Sequence, residues 1–119
     1  MSGERVLLVD DHAGFRASAA AMLEAEGLSI VGTVSSGEEA LDLVGPLNPD
    51  VVLLDLFLTG IDGIDVAWRI AESGTAAAPV ILISSHDEAG SDPRVMSAPV
   101  KGFLPKRDLT CDAIRRLLG

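Results

Sequence analysis

The chain is poor in cysteine and in positive charge, and it has no long apolar run. Cys111 is the single cysteine among 119 residues. One thiol cannot close an internal disulfide, and no His/Cys cluster has zinc-ligand spacing. Cys111 lies between Thr110 and Asp112 and reads as an incidental helix cysteine, not a redox or nucleophilic group. Nine Lys and Arg face 18 Asp and Glu, a formal net charge of −9. Clustered basic residues are what the nucleic-acid backbone requires, so the charge argues against unaided binding to it. The longest apolar runs, such as Val51-Val52-Leu53-Leu54, fall far short of the ~20 residues of a membrane helix. Met1-Ser2-Gly3-Glu4-Arg5 has no apolar stretch with a small-residue cleavage site, as a signal peptide would. These absences predict a cytoplasmic protein without membrane contact.

What remains is ordinary for a soluble domain: 48% hydrophobic and 23% charged residues. The length predicts one domain over 1–119 with a single well-buried core. Two patterns alternate along it. Val6-Leu7-Leu8-Val9 is a short apolar run ending in Asp10-Asp11. Residues 12–26 have helical spacing, with Phe15, Ala19, Met22 and Leu23 on one face and Gly27 closing the helix. A strand is predicted over 28–34. The next helix starts at Ser36 as N-cap with Glu39 three residues on, shows Ala40, Leu41 and Val44 inward, and should end at Pro46 and Pro49.

Val51 to Leu54 is apolar at every residue, as in a strand covered on both faces. Thr59-Gly60-Ile61-Asp62-Gly63 is turn chemistry, and Ile64, Ala67, Ile70 and Ala71 mark a third helix. Pro79 opens a strand over Val80 to Ile83 that stops at Ser84-Ser85. A short fifth strand is predicted over 100–104. A last helix carries Leu109, Ala113, Ile114, Leu117 and Leu118. Five β-α units in series call for a parallel sheet with helices on both faces.

In open α/β sheets ligands bind beyond the carboxyl ends of the strands. Those ends carry Asp10 and Asp11, Asp55, Ser84, and Lys106 just past Phe103-Leu104-Pro105. Each alone has a bland explanation: turn chemistry for the Asp pair, a cap for Asp55, a strand end for Ser84, a solvated surface for Lys106. Jointly, three carboxylates on one rim repel one another, and a divalent cation with hard oxygen ligands relieves this. Open coordination positions leave room for a phosphoryl group, with Lys106 as counter-charge and Ser84 as hydroxyl donor. A carboxylate can then act as nucleophile toward phosphorus.

At this point the segments resemble those of bacterial response regulator receiver domains. Val6 to His12, ending in Asp-Asp-His, resembles their opening. Val51 to Gly63 resembles the phosphoacceptor segment. Val80 to Ser85 resembles the strand bearing the switch hydroxyl, and Lys101 to Lys106 the segment with the switch aromatic and the lysine. The resemblance covers nearly the whole chain. It implies a CheY-like, flavodoxin-like (βα)5 three-layer sandwich with a five-stranded parallel sheet in the order 2-1-3-4-5. It implies that Asp55 takes a phosphoryl group from a sensor histidine kinase or phosphotransfer protein, with no other enzymatic activity. It implies Mg2+ (or Mn2+) on the side chains of Asp11 and Asp55 and the backbone carbonyl of Phe57, with Asp10 acting through water. Ser84 and Phe103 would be the switch pair, Lys106 would contact the phosphate, and Phe57 and His86 would tune loss of the phosphoryl group. The face built from the fourth helix, fifth strand and fifth helix would meet an unknown downstream protein, and a homodimer through that face is compatible with it.

Some positions depart from the family pattern. Thr59 stands where a proline is usual, which predicts a less rigid loop, and Phe103 lacks the hydroxyl of a tyrosine often found there. The segment HDEAGSDPRVMSAP, 86–99, has few helix formers. It predicts a short, shifted or mobile fourth helix with Pro93 in its first turn. Met22 and Met96 read as packing residues, Trp68 as half-buried, and His12 as exposed at the start of the first helix.

The Asp-Asp-His opening favours the receiver half of a regulator with a helix-turn-helix, whereas the length of 119 residues favours a stand-alone receiver. A metal-dependent phosphohydrolase would place a second carboxylate two residues after the nucleophile. That position is Phe57. A receiver that binds partners without phosphorylation would not need the complete acidic site.

Overall fold

The computed structural model describes residues 3–73 and 78–119. Five strands alternate with five helices: β1 (Arg5–Val9), α1 (Ala13–Ala25), β2 (Ser29–Val34), α2 (Gly37–Leu47), β3 (Val51–Asp55), α3 (Gly63–Glu72), β4 (Val80–Ser84), α4 (Pro93–Met96), β5 (Gly102–Pro105) and α5 (Cys111–Leu118). The sheet order is β2-β1-β3-β4-β5 and every pairing is parallel. This is the doubly wound α/β architecture expected from the alternation.

The pleat sorts the strand residues into two cores. Leu7, Val9, Val52, Leu54, Val80 and Leu82 face α2 and α3 and pack with Ala40, Ile64, Ala67 and Ile70. Val6, Leu8, Val51, Leu53, Ile81 and Ile83 face α1 and α5 and pack with Ala19, Leu23 and Ile114. Because both faces are covered, the central strands β3 and β4 are buried at every residue. β1, β3 and β4 therefore end at one level, and the residues following them emerge at one rim.

The helix ends follow local chemistry. Ser36 Oγ accepts from Glu39 N at 3.2 Å, and Thr110 Oγ1 accepts from Ala113 N at 3.0 Å. Gly27, with φ of +107°, turns the chain out of α1. Pro46 does not end α2, contrary to the sequence expectation. The helix runs through it to Leu47 and stops at Asn48 in the left-handed region, whose N–H donates to Val44 O at 3.1 Å. The ring removes one donor in the last turn, and the left-handed asparagine closes the helix instead.

The fourth helix is short and shifted, as composition predicted. A 3-10 segment covers Asp87–Ser91, and α4 holds only Pro93–Met96, with Pro93 first and Asp92 as N-cap. Other expectations need correction. Met96 is 74% exposed and is not a packing residue, since a helix this short has no second turn to turn it inward. Trp68 is 44% exposed, because its neighbours Val66, Ala67 and Ile70 take the inward stripe of α3. The fifth strand begins at Gly102, two residues later than expected. Leu109 precedes α5, although it is buried in the same core as Ile114. No helix among the described residues is long and apolar enough to cross a membrane.

Gly63 shows how closely α3 is set against β3. Its N–H donates to Leu56 O at 3.0 Å, and a Cβ there would strike the carbonyl oxygen of Asp55 and come within 2.9 Å of Leu56 Cα. Backbone atoms cannot give way cheaply. We therefore expect Gly63→Ala to destabilise the fold by about 1–3 kcal/mol, read as a lower urea midpoint at unchanged slope.

Candidate functional site

The acidic rim is built by strands that stop in register. β1 pairs with β3, bringing Val9 opposite Leu54, and Asp10 and Asp55 are the next residues on each strand. Asp10 is fully buried and Asp55 nearly so, at 3% exposure. Charge of this kind is tolerated inside a protein only when it is paired or hydrogen-bonded.

The pairing comes from Lys106, directly after β5. Its Nζ lies 2.6 Å from Asp10 Oδ2 and 3.3 Å from Asp55 Oδ2. The same ammonium sits over the Phe15 ring, 4.4 Å from its centre, where the ring's negative face adds to the attraction. Backbone amides supply the remaining bonds: His12 N donates to Asp10 Oδ1 at 2.8 Å, and Phe57 N donates to Asp55 Oδ1 at 3.0 Å. Arg16 Nη1 donates to the Asp10 carbonyl at 2.6 Å and fixes the strand end from α1.

Burial pushes the Asp55 carboxyl above its ordinary value, and the negative charge of Asp10 adds to this. The Phe57 amide and Lys106 pull the other way without cancelling it. For Lys106, burial alone would lower the ammonium. Asp10 and Asp55 more than offset that and hold it above its ordinary value.

Asp11 completes the cluster. Its Oδ2 accepts from Thr59 Oγ1 at 3.0 Å, while its buried Oδ1 accepts no hydrogen bond. Thr59 was expected to loosen the loop after Asp55. Its hydroxyl ties that loop to Asp11, a role proline could not fill. Sequence reasoning missed this because the partners are far apart in the chain. His12 was also passed over, as an exposed helix start. It is exposed, yet its Nδ1 lies 3.1 Å from Asp11 Oδ1 and 3.3 Å from Asp10 Oδ1. Atoms of Asp10, Asp11, His12 and Asp55 all lie within 4.8 Å of one another. An unbonded buried carboxylate oxygen among hard oxygen donors fits a divalent cation.

The remaining expected residues stand apart from this cluster. Ser84 is fully buried at the end of β4, and its Oγ accepts from His86 N at 2.9 Å, not from the acidic group. Phe57 is 51% exposed and meets His86 edge-to-face, with ring centres 5.0 Å apart. Phe103 is half-buried on the α2–α3 side of the sheet, and a Cβ on Gly90 would come within 2.8 Å of its ring. Cys111 is buried at the start of α5, and burial raises its thiol above its ordinary value.

Residues 6–115 match the family model of the response regulator receiver domain. The chain belongs to that family. It is 39% identical over 102 residues to the response regulator UvrY of Escherichia coli, covering 85% of this chain and 46% of that protein. It is 36% identical over 115 residues to the transcriptional regulatory protein LiaR of Bacillus subtilis, covering 93% of this chain and 54% of that one. The chain thus spans about half the length of these curated relatives. The signal receiver domain of the response regulator NarL from Mycobacterium tuberculosis superposes with a TM-score of 0.87 at 32% identity, covering 99% of this chain and 98% of that one. Receiver domains belong to two-component signalling, and the acidic trio is of the kind that holds a divalent metal in them.

The raised Asp55 carboxyl has a stability consequence. Below the ordinary carboxyl value of 3.8 Asp55 is protonated in both folded and unfolded chains and costs nothing. As pH rises toward its higher folded value, the unfolded chain gives up the proton first, so stability falls. Above that value the cost is complete. Asp55→Asn should therefore stabilise the domain at neutral pH by on the order of 1 kcal/mol, about 4 °C in Tm. In thermal melts across pH, the gain should vanish on the acid side of that window.

Proposed function

We propose that Asp55 is the phosphoacceptor of a two-component relay. The observation that carries this reading is the buried Asp55 carboxylate, held beside Asp10 with Lys106 between them. Its donor is the phosphohistidine of a sensor histidine kinase or phosphotransfer protein. An oxygen of Asp55 attacks phosphorus, the P–N bond breaks, and the imidazole leaves with its electron pair and takes up a proton. Lys106 neutralises negative charge on the incoming group while remaining tied to Asp10. Asp11, Asp55 and the Phe57 carbonyl would hold Mg2+ (or Mn2+), with Asp10 acting through water. That ion would screen the phosphoryl oxygens from the carboxylates. The chain acts as a self-modifying acceptor and not as an enzyme with a turning-over substrate.

The switch would use Ser84 and Phe103. The Ser84 hydroxyl, now accepting from His86 N, can donate to a phosphoryl oxygen once the turn after β4 moves inward. Phe103 follows into the space vacated. The face of α4, β5 and α5 carries the change to a downstream protein or a second copy, and the net charge of −9 keeps nucleic acid off it.

Incubation with a small phosphodonor and Mg2+ should add one phosphoryl group to the intact mass of the wild type and none to Asp55→Ala. An unmodified wild type overturns the assignment. The exposed Phe57–His86 ring pair would obstruct water approaching the acyl phosphate. Phe57→Asn should then speed loss of the label by about 10-fold, a barrier change of roughly 1.4 kcal/mol. An unchanged decay rate counts against the pair as a barrier.

A further inference from the structure

We propose that His12 is a metal ligand, so that the acidic site takes a borderline transition ion such as Zn2+ or Co2+ more tightly than Mg2+. This rests on the reading of the acidic trio as a metal site and adds a donor to it. Donors about 2.1 Å from an octahedral ion lie roughly 3.0 Å apart along an edge and roughly 4.2 Å across. His12 Nδ1 is 3.1 Å from Asp11 Oδ1 and 3.3 Å from Asp10 Oδ1, both edge spacings. Ligand atoms of Asp10, Asp11, His12 and Asp55 all lie within 4.8 Å of one another, so the imidazole belongs to the same cluster as the acids.

The ring is also within hydrogen-bond reach of Asp10 Oδ1, at 3.3 Å, and two further features favour an ion at this point. The nearer carboxylate atom, Asp11 Oδ1, is buried and has no hydrogen-bond partner even though Nδ1 is beside it. The backbone is also fixed in advance: His12 N donates to Asp10 Oδ1, and His12 is the extended N-cap of α1, where its side chain caps nothing. The side chain is 72% exposed, which leaves an entry path for an ion. Imidazole nitrogen suits zinc, cobalt, nickel and copper, whereas Mg2+ prefers oxygen and gains little from it.

The test titrates metal-free protein with Co2+, followed by its visible d–d absorption, and with Mg2+, followed by amide NMR shifts. Wild type, His12→Gln and His86→Gln are compared. Co2+ should bind wild type about 100-fold more tightly than Mg2+. His12→Gln should weaken Co2+ by about 10–100-fold and leave Mg2+ unchanged, and His86→Gln should alter neither. Equal losses for the two ions, an unchanged Co2+ affinity in His12→Gln, or a loss confined to His86→Gln each overturn the assignment. If Mg2+ binds and Co2+ binds no better, this inference alone fails. If neither ion binds wild type, the metal reading of the acidic trio fails with it.

Discussion

One ammonium group holds the rim of this domain together. Lys106 stands between Asp10 and Asp55, two carboxylates that the sheet buries beside each other. Without it, β1 and β3 could not both end in a buried acid, because an unpaired charge in that position costs several kcal/mol. The lysine comes from the residue directly after β5, which lies on the far side of β4 from β3, and spans back to both acids. Phe15 from α1 fixes the ammonium from above. Three separate segments of chain are thus bound to one electrostatic point.

That point is incompletely satisfied. Asp55 remains raised in spite of Lys106, and Asp11 keeps a buried oxygen without a donor. Sites of chemistry commonly carry such residual cost, since groups arranged for reaction are not arranged for minimal energy. In the proposed function, that residual charge is what would draw a cation and, with it, the phosphoryl group to the site. The apolar strands beneath supply the stability that offsets it.

The α4 side is built more lightly. A 3-10 segment and a four-residue α4 replace a full helix, with Gly90 seated against the Phe103 ring and Met96 projecting into solvent. Ala89 and Val95 anchor this stretch in the core, while Glu88, Ser91, Pro93, Arg94 and Met96 are exposed. Local opening is cheapest in such regions, which suits the response to a charge at Asp55 proposed for this face.

The sequence by itself determined the layout. Apolar strands alternating with amphipathic helices leave few topologies, and the acids, the hydroxyl and the lysine stood at predictable strand ends. Pro93 and Gly90 made the short fourth helix legible, because backbone chemistry is local. Residues whose roles depend on distant partners were not legible. Thr59 reads as a lost proline until Asp11, far back in the chain, is found beneath its hydroxyl. His12 reads as an exposed helix start until its ring is seen between two carboxylates. Pro46 reads as a stop until Asn48 adopts a left-handed conformation after it. Period and composition act along the chain, so they could be read in advance. Hydrogen bonds, ion pairs and the direction of a side chain act across space, and only the tertiary structure decided them.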